Sequence, residues 1–174
     1  MSDEDFALAL RFAPASIEPW LMLAAYAGLR ACEIAPLRGD DLDWTNRLIM
    51  IRVQKGGDPG SVPMAEHLVP VLSGRKRHGW LFPQWNGSGK PIAPGQLSRH
   101  ANHYLHSLGI HSTFHSLRHR YGTLVYQASG HDLRATQELM RHNSPVSTAL
   151  YTYIDPTDTR SIVNALPAPS APRR

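Results

Sequence analysis

A single cysteine, Cys32, occurs in the 174 residues, so the chain can form no internal disulfide and its fold rests on packing and polar contacts. No apolar run is long: the most apolar stretch, WLMLAAYAGL from Trp20 to Leu29, is about half of the roughly 20 residues that a membrane-spanning helix needs. The amino end, MSDEDFALAL, carries acidic residues where a signal peptide carries basic ones. Lysine is scarce too, with three residues against fifteen arginines. These shortages set aside a disulfide-stapled secreted scaffold and a membrane-spanning protein, and the expectation is a cytoplasmic one.

What is present is enough apolar material, 42% of the chain, for one domain with a real core. The formal net charge of +4 is unevenly spread. Residues 1–66 hold six Lys/Arg against ten Asp/Glu, whereas residues 67–174 hold twelve against four. Guanidinium grips phosphate oxygens in a bidentate fork, so an arginine-rich, cationic second half points to a polyanionic partner, most simply nucleic acid.

Helical spacing of Ile17, Trp20, Leu21, Leu23 and Ala24 predicts a helix from Ser16, as N-cap, to a stop at Gly28, followed by a short helix over residues 30–35. RLIMIRV (47–53) reads as a strand, QKGGDPG as a turn and SVPM (61–64) as a second strand, a hairpin with Lys55 at its tip. Residues 65–73 look helical, 74–95 loop-rich. Leu97, Ala101, Tyr104, Leu105 and Leu108 mark a helix closed by Gly109. Helices over about 115–128, 132–141 and 145–153 follow, and LPAPSAPRR reads as a disordered tail. The fold class expected is mainly α with one small antiparallel β-sheet.

Within HSLRHRYGT, from His115 to Thr123, four cationic or titratable groups crowd one short helix. His115 and Arg118 are three residues apart and share a helical face, which lets an imidazole and a guanidinium converge on one anion. Alone, H-x-x-R is a weak pattern. Elsewhere AGLRACEIAPL places Arg30 after a glycine at a helix junction, QKGGDPGSVP holds Lys55 eight residues before Pro63, and LMRHNSPVSTALYTY holds His142 nine residues before Tyr151. This ordered set, Arg, Lys, His-x-x-Arg, His, Tyr, resembles the tyrosine recombinase family, the phage integrases and their bacterial relatives, over about residues 15–165.

The resemblance implies a tyrosine recombinase catalytic domain over residues 15–166, between an extension (1–14) and the tail (167–174). It also implies a site-specific integrase chemistry in which a phenol attacks a DNA phosphodiester and a 3′-phosphotyrosyl link preserves the bond energy. Arg30 and Arg118 would clamp the non-bridging oxygens, where a lost donor costs roughly 3–4 kcal/mol. Lys55 would be general acid to the leaving 5′ oxygen, His115 the proton acceptor, His142 a phosphate hydrogen-bond donor and Tyr151 the nucleophile. No carboxylate cluster suits a metal pair, so the guanidiniums replace metal cations, and neither cofactor nor metal is expected. The implied partners are double-stranded DNA and a Holliday junction, with a homotetramer on DNA, a monomer when free, and a nucleoid location.

Some readings compete. Arg30 is spaced to pair locally with Glu33, which is compatible with catalysis. Tyr153 competes with Tyr151 as nucleophile. His119 is expected beneath the site. The series His100, His103, His106 lacks acidic or cysteine partners, and reads as a solvent- or DNA-facing stripe rather than a metal site. Arg141 stands where many relatives have glycine, and Asp58 and Gly60 stand where relatives often have basic residues. Relatives usually carry an amino-terminal clamp domain, so the chain reads as the catalytic part of a longer protein. Two other functions remain open: a DNA-binding module of this fold without productive cleavage, and a relaxing enzyme like the type IB topoisomerases.

Overall fold

A computed structural model describes residues 1–52 and 59–141. Helix α2 (Glu18–Tyr26) is apolar on every side, with each residue from Pro19 to Ala25 buried. A helix without a polar face runs through the interior. Around it pack α3 (Ala31–Ile34), α4 (Val69–Ser73) and the long α6 (Phe114–Ala128). Helix α5 (Pro94–Ser107) lies against α3 and α6, and α7 (Leu133–Met140) against α6. Ser16 does not cap α2, because the Pro14 carbonyl accepts from the N–H groups of Ile17 and Glu18, and that turn makes Ile17 the N-cap.

The expected hairpin is present as β2 (Leu48–Ile51) paired antiparallel with β3 (Gly60–Pro63). Along β2 the side chains alternate as a half-buried strand requires, Ile49 and Ile51 inward and Met50 outward. A third strand, β1 (Leu42–Asp43), was not expected; it pairs Leu42 with Ile49 on the other edge. At two residues it is too short to display a period. The Asp43 carboxylate accepts from the N–H groups of Thr45 and Asn46 at 3.0 and 2.9 Å and so shapes the β1–β2 turn.

Residues 3–11, expected only as an extension, form a helix, α1 (Asp3–Arg11), started by the Ser2 hydroxyl accepting from Asp5 N–H. Phe6 and Ala9 enter the common core, the Tyr104 hydroxyl donates to the Ala9 carbonyl at 2.6 Å, and Arg120 pairs with Asp3 at 2.7 Å. Residues 65–73 divide into a 3-10 turn (Glu66–Leu68) and α4, with Pro70 in the first turn of α4, where a missing N–H is tolerated. The remaining helical expectations hold to within three residues at each end. The expected helix at 145–153 and the tail lie outside the described residues. Among those described, no helix is long and apolar enough to cross a membrane.

Candidate active site

After α2 the chain reverses at Gly28, whose φ of +62° lies in the left-handed region that glycine adopts freely. That turn delivers Arg30 to the N-cap of α3 with an extended backbone. Glu33, one turn on, has a side chain with no exposed surface; its Oε2 accepts from Arg30 N–H at 2.7 Å and its Oε1 from Arg30 Nη1 at 3.0 Å. Arg30 is therefore fixed at backbone and side chain together, while 30% of its side chain stays exposed. The local ion pair read from the sequence exists, and it orients the guanidinium. A second cation shares the carboxylate, since Arg141 Nη2 donates to Glu33 Oε2 at 2.7 Å.

Arg118 is only 2% exposed, and its guanidinium donates from Nη1 to the Gly28 carbonyl and from Nη2 to the Met140 carbonyl. Two fixed acceptors thus hold the charge at the junction of α2, α6 and the end of α7. The start of α6 is pinned from α5, where Asn102 Oδ1 accepts from Phe114 N–H at 2.6 Å. His115 then projects one turn before Arg118. Arg30, His115 and Arg118, together with Ser98 and Asn102 of α5, line one cavity of about 290 Å³. A hollow of similar size beside Gly39, Trp44 and Arg75, which includes the basic 75–77 loop, shares none of these residues and gathers no imidazole or carboxylate.

Burial first, and then the cations His119, Arg118 and Arg30, hold the His115 imidazole below its usual 6.5. His115 is thus neutral near pH 7 and able to accept a proton. His119, expected beneath the site, is instead exposed, with its ring edge-on to His115 at 4.7 Å. Four residues separate the two, so their side chains are neighbours on one helical face, and both stand at the surface. Of the His100, His103, His106 series, His103 and His106 are exposed and His100 meets the edge of Trp85 at 4.8 Å.

The structure brings three of the six expected catalytic residues, Arg30, His115 and Arg118, to a common cavity. Lys55, His142 and Tyr151, and the competing Tyr153, lie outside the described residues. Ser98 and Asn102 were missed as site residues. Their spacing of four on one helical face was visible, and a polar asparagine within a helix is itself a sign of a side chain with an acceptor or donor to satisfy. The Arg141 to Glu33 pair, 108 residues apart, had no sequence signal.

A cavity lined by two arginines and a histidine lies at the junction of these helices, and comparison with known proteins identifies the family. Residues 7–158 match the model of the phage integrase family, and the chain belongs to that family. It is 31% identical over 135 residues to tyrosine recombinase XerC of Xanthomonas campestris pv. campestris, covering 74% of this chain and 41% of that protein. Against tyrosine recombinase XerA of Pyrococcus furiosus it is 28% identical over 140 residues, covering 77% and 49%. Among solved structures, the integrase from mycobacterium phage Brujita superposes with a TM-score of 0.73 at 31% identity, covering 91% of this chain and 54% of that one. The crystal structure of XerA recombinase gives 0.75 at 24% identity, covering 94% and 63%, a likeness of fold. The chain therefore spans about half the length of these relatives.

Proposed function

We propose that this domain breaks and rejoins double-stranded DNA as the catalytic part of a site-specific recombinase, through a 3′-phosphotyrosyl intermediate and without metal or ATP. The observation that carries the reading is the convergence of Arg30, His115 and Arg118 on one cavity, with Glu33 buried behind Arg30. Donors fixed before the phosphate arrives need not reorganise as negative charge builds on its non-bridging oxygens, which is how a preorganised site lowers a barrier. Arg30 and Arg118 supply that stabilisation, and neutral His115 takes the phenolic proton. Tyr151 attacks phosphorus, Lys55 protonates the departing 5′ oxygen, and His142 donates to the phosphate. The phosphotyrosyl bond is then exchanged for a second 5′ hydroxyl.

Related folds have been captured on DNA: XerH recombinase is solved bound to its difH substrate before cleavage, and the Tn1549 transposon integrase in complex with transposon right end DNA. By extension, four protomers of this protein, monomeric when free, act on two duplexes through a Holliday junction, at the nucleoid. The test is to incubate the protein with a pool of nicked duplexes of random sequence and collect covalent adducts under denaturing conditions. Wild type forms an adduct and Tyr151→Phe forms none. An adduct mapped to Tyr153 overturns the nucleophile assignment. Salt-sensitive gel shifts without any adduct replace the reading with a DNA-binding module, and plasmid relaxation without strand exchange replaces it with a relaxing enzyme.

A further inference from the structure

Arg141 closes α7 with φ +49° and ψ +51°, a left-handed conformation that costs a residue with a side chain about 1–2 kcal/mol. Its side chain does not turn to solvent in recompense. It is 8% exposed and donates through Nη2 to Glu33 Oε2 at 2.7 Å, while Nε and Nη1 find no acceptor among the described residues. With its side chain enclosed at a backbone angle suited to glycine, Arg141 makes one side-chain hydrogen-bond contact among the described residues. That contact is with the carboxylate that anchors Arg30. The Glu33 side chain has no exposed surface, and among the described residues it accepts from Arg30 N–H and Nη1 on one side and from Arg141 Nη2 on the other. Arg30 is the partly exposed member of this trio, and the Arg141 side chain is the more enclosed one. A second cross-link lies one residue earlier, where the Met140 carbonyl accepts from Arg118.

We propose that Arg141 is a positioning residue for the anion site. Through Glu33 it fixes the Arg30 guanidinium at the cavity, and together with the Arg118 bond to Met140 it ties the end of α7 to both clamping arginines. Arg141 does not line the cavity and acts only through Glu33. The kinetic consequence rests on the recombinase reading given above, whereas the ordering of Arg30 does not.

The experiment measures both, with Arg141→Gly, which also relieves the left-handed backbone, and Arg141→Lys, which keeps a cation within reach of Glu33. In arginine Nε–Hε NMR of the free protein, with Arg30 assigned through Arg30→Lys, the wild-type Arg30 signal is that of an ordered side chain. In Arg141→Gly it averages toward the signals of exposed arginines while the melting temperature stays within a few degrees, and Arg141→Lys retains most of the order. In single-turnover adduct formation, Arg141→Gly is slower by roughly 10–100-fold with DNA affinity nearly unchanged, the range typical of lost supporting contacts. An Arg30 signal that Arg141→Gly leaves untouched overturns the proposal, whether or not the wild type cleaves DNA. An ordered-to-mobile change in a protein that forms no adduct upholds the positioning role and removes the recombinase reading instead.

Discussion

Replacing Gly28 by alanine tests how the site is braced. A Cβ built at Gly28 would stand 2.4 and 2.6 Å from Cδ1 and Cε1 of Tyr121 and 3.3 Å from its Cγ, so the whole ring edge, not a flexible tip, opposes it. The φ of +62° adds about 1–2 kcal/mol for any residue with a side chain. Overpacking of this kind typically adds 1–3 kcal/mol, giving a destabilisation of about 2–5 kcal/mol. For a chain of this length that lowers the melting temperature by roughly 5–20 °C. Relief of the overlap moves Tyr121 or the Gly28 peptide, and the Gly28 carbonyl is one of the two that hold Arg118, so adduct formation falls as well. Urea denaturation of Gly28→Ala, Tyr121→Ala and the double variant separates the parts. In the Tyr121→Ala background the Gly28→Ala change retains only the backbone cost of about 1–2 kcal/mol. A Gly28→Ala protein within about 0.5 kcal/mol of wild type, the range of an uninvolved surface change, refutes the reasoning, as does an identical cost in both backgrounds.

Arg118→Lys leaves one ammonium where a planar fork now reaches two carbonyls; losing either bond in a buried place costs about 1–3 kcal/mol, read in urea denaturation, and the covalent adduct becomes scarce. An unchanged urea midpoint removes the bracing role given to Arg118. His119→Gln takes away a titrating neighbour whose protonation opposes that of His115, so the His115 imidazole titrates closer to 6.5, while burial still holds it below; NMR titration of its ring protons reads the shift, and a downward shift contradicts the account. Because the folded-state values of His115 and His119 are both depressed, the unfolded chain binds more protons once the pH falls below about 6.5. Stability is therefore full above that value and declines as the pH drops through the folded values; thermal melts between pH 7 and 5 show the decline, reduced in the double His→Gln variant. Adduct formation proceeds undiminished in EDTA, since guanidiniums provide the charge that metal ions provide elsewhere, and a rate abolished by chelation ends the metal-free reading.

The sequence was most informative where a short-range period or motif carried the signal. The apolar run of α2, the alternation of β2 and the H-x-x-R pair on α6 were all visible, because each depends on neighbours within a few residues. Helix α1 was hidden by its three acidic residues at the start, which read as a solvated end although Phe6 and Ala9 supply a buried stripe. Strand β1 was hidden by its length. The site divided in the same way. Arg30, His115 and Arg118 could be nominated from order and spacing, but their supports could not: Asn102 reaching the first turn of α6, the Gly28 and Met140 carbonyls receiving Arg118, and Arg141 meeting Glu33 are all contacts across elements, fixed by tertiary geometry. The misplacement of His119 is of the same kind. Its spacing from His115 makes the two rings neighbours, but which part of that face is covered is set by packing between elements.

The electrostatic arrangement suits the cavity to an anion. Arg30 and Arg141 both donate to the buried carboxylate of Glu33, and Arg118 shares the cavity with Arg30. Burying charge is expensive unless hydrogen bonds replace water, and here the Gly28 and Met140 carbonyls accept from Arg118. A second carboxylate at that place would stabilise the resting protein more, but would compete with a phosphate for the same donors. Carbonyl acceptors hold the guanidinium in direction without that competition. The titration of His115, depressed first by burial and then by His119, Arg118 and Arg30, is coupled to the charge of the cavity. Introducing a carboxylate at the rim, by Ser98→Asp, would accordingly move the His115 titration upward and weaken DNA binding together. If the titration stays where it is while binding weakens, the field does not extend across the cavity and the charge argument fails.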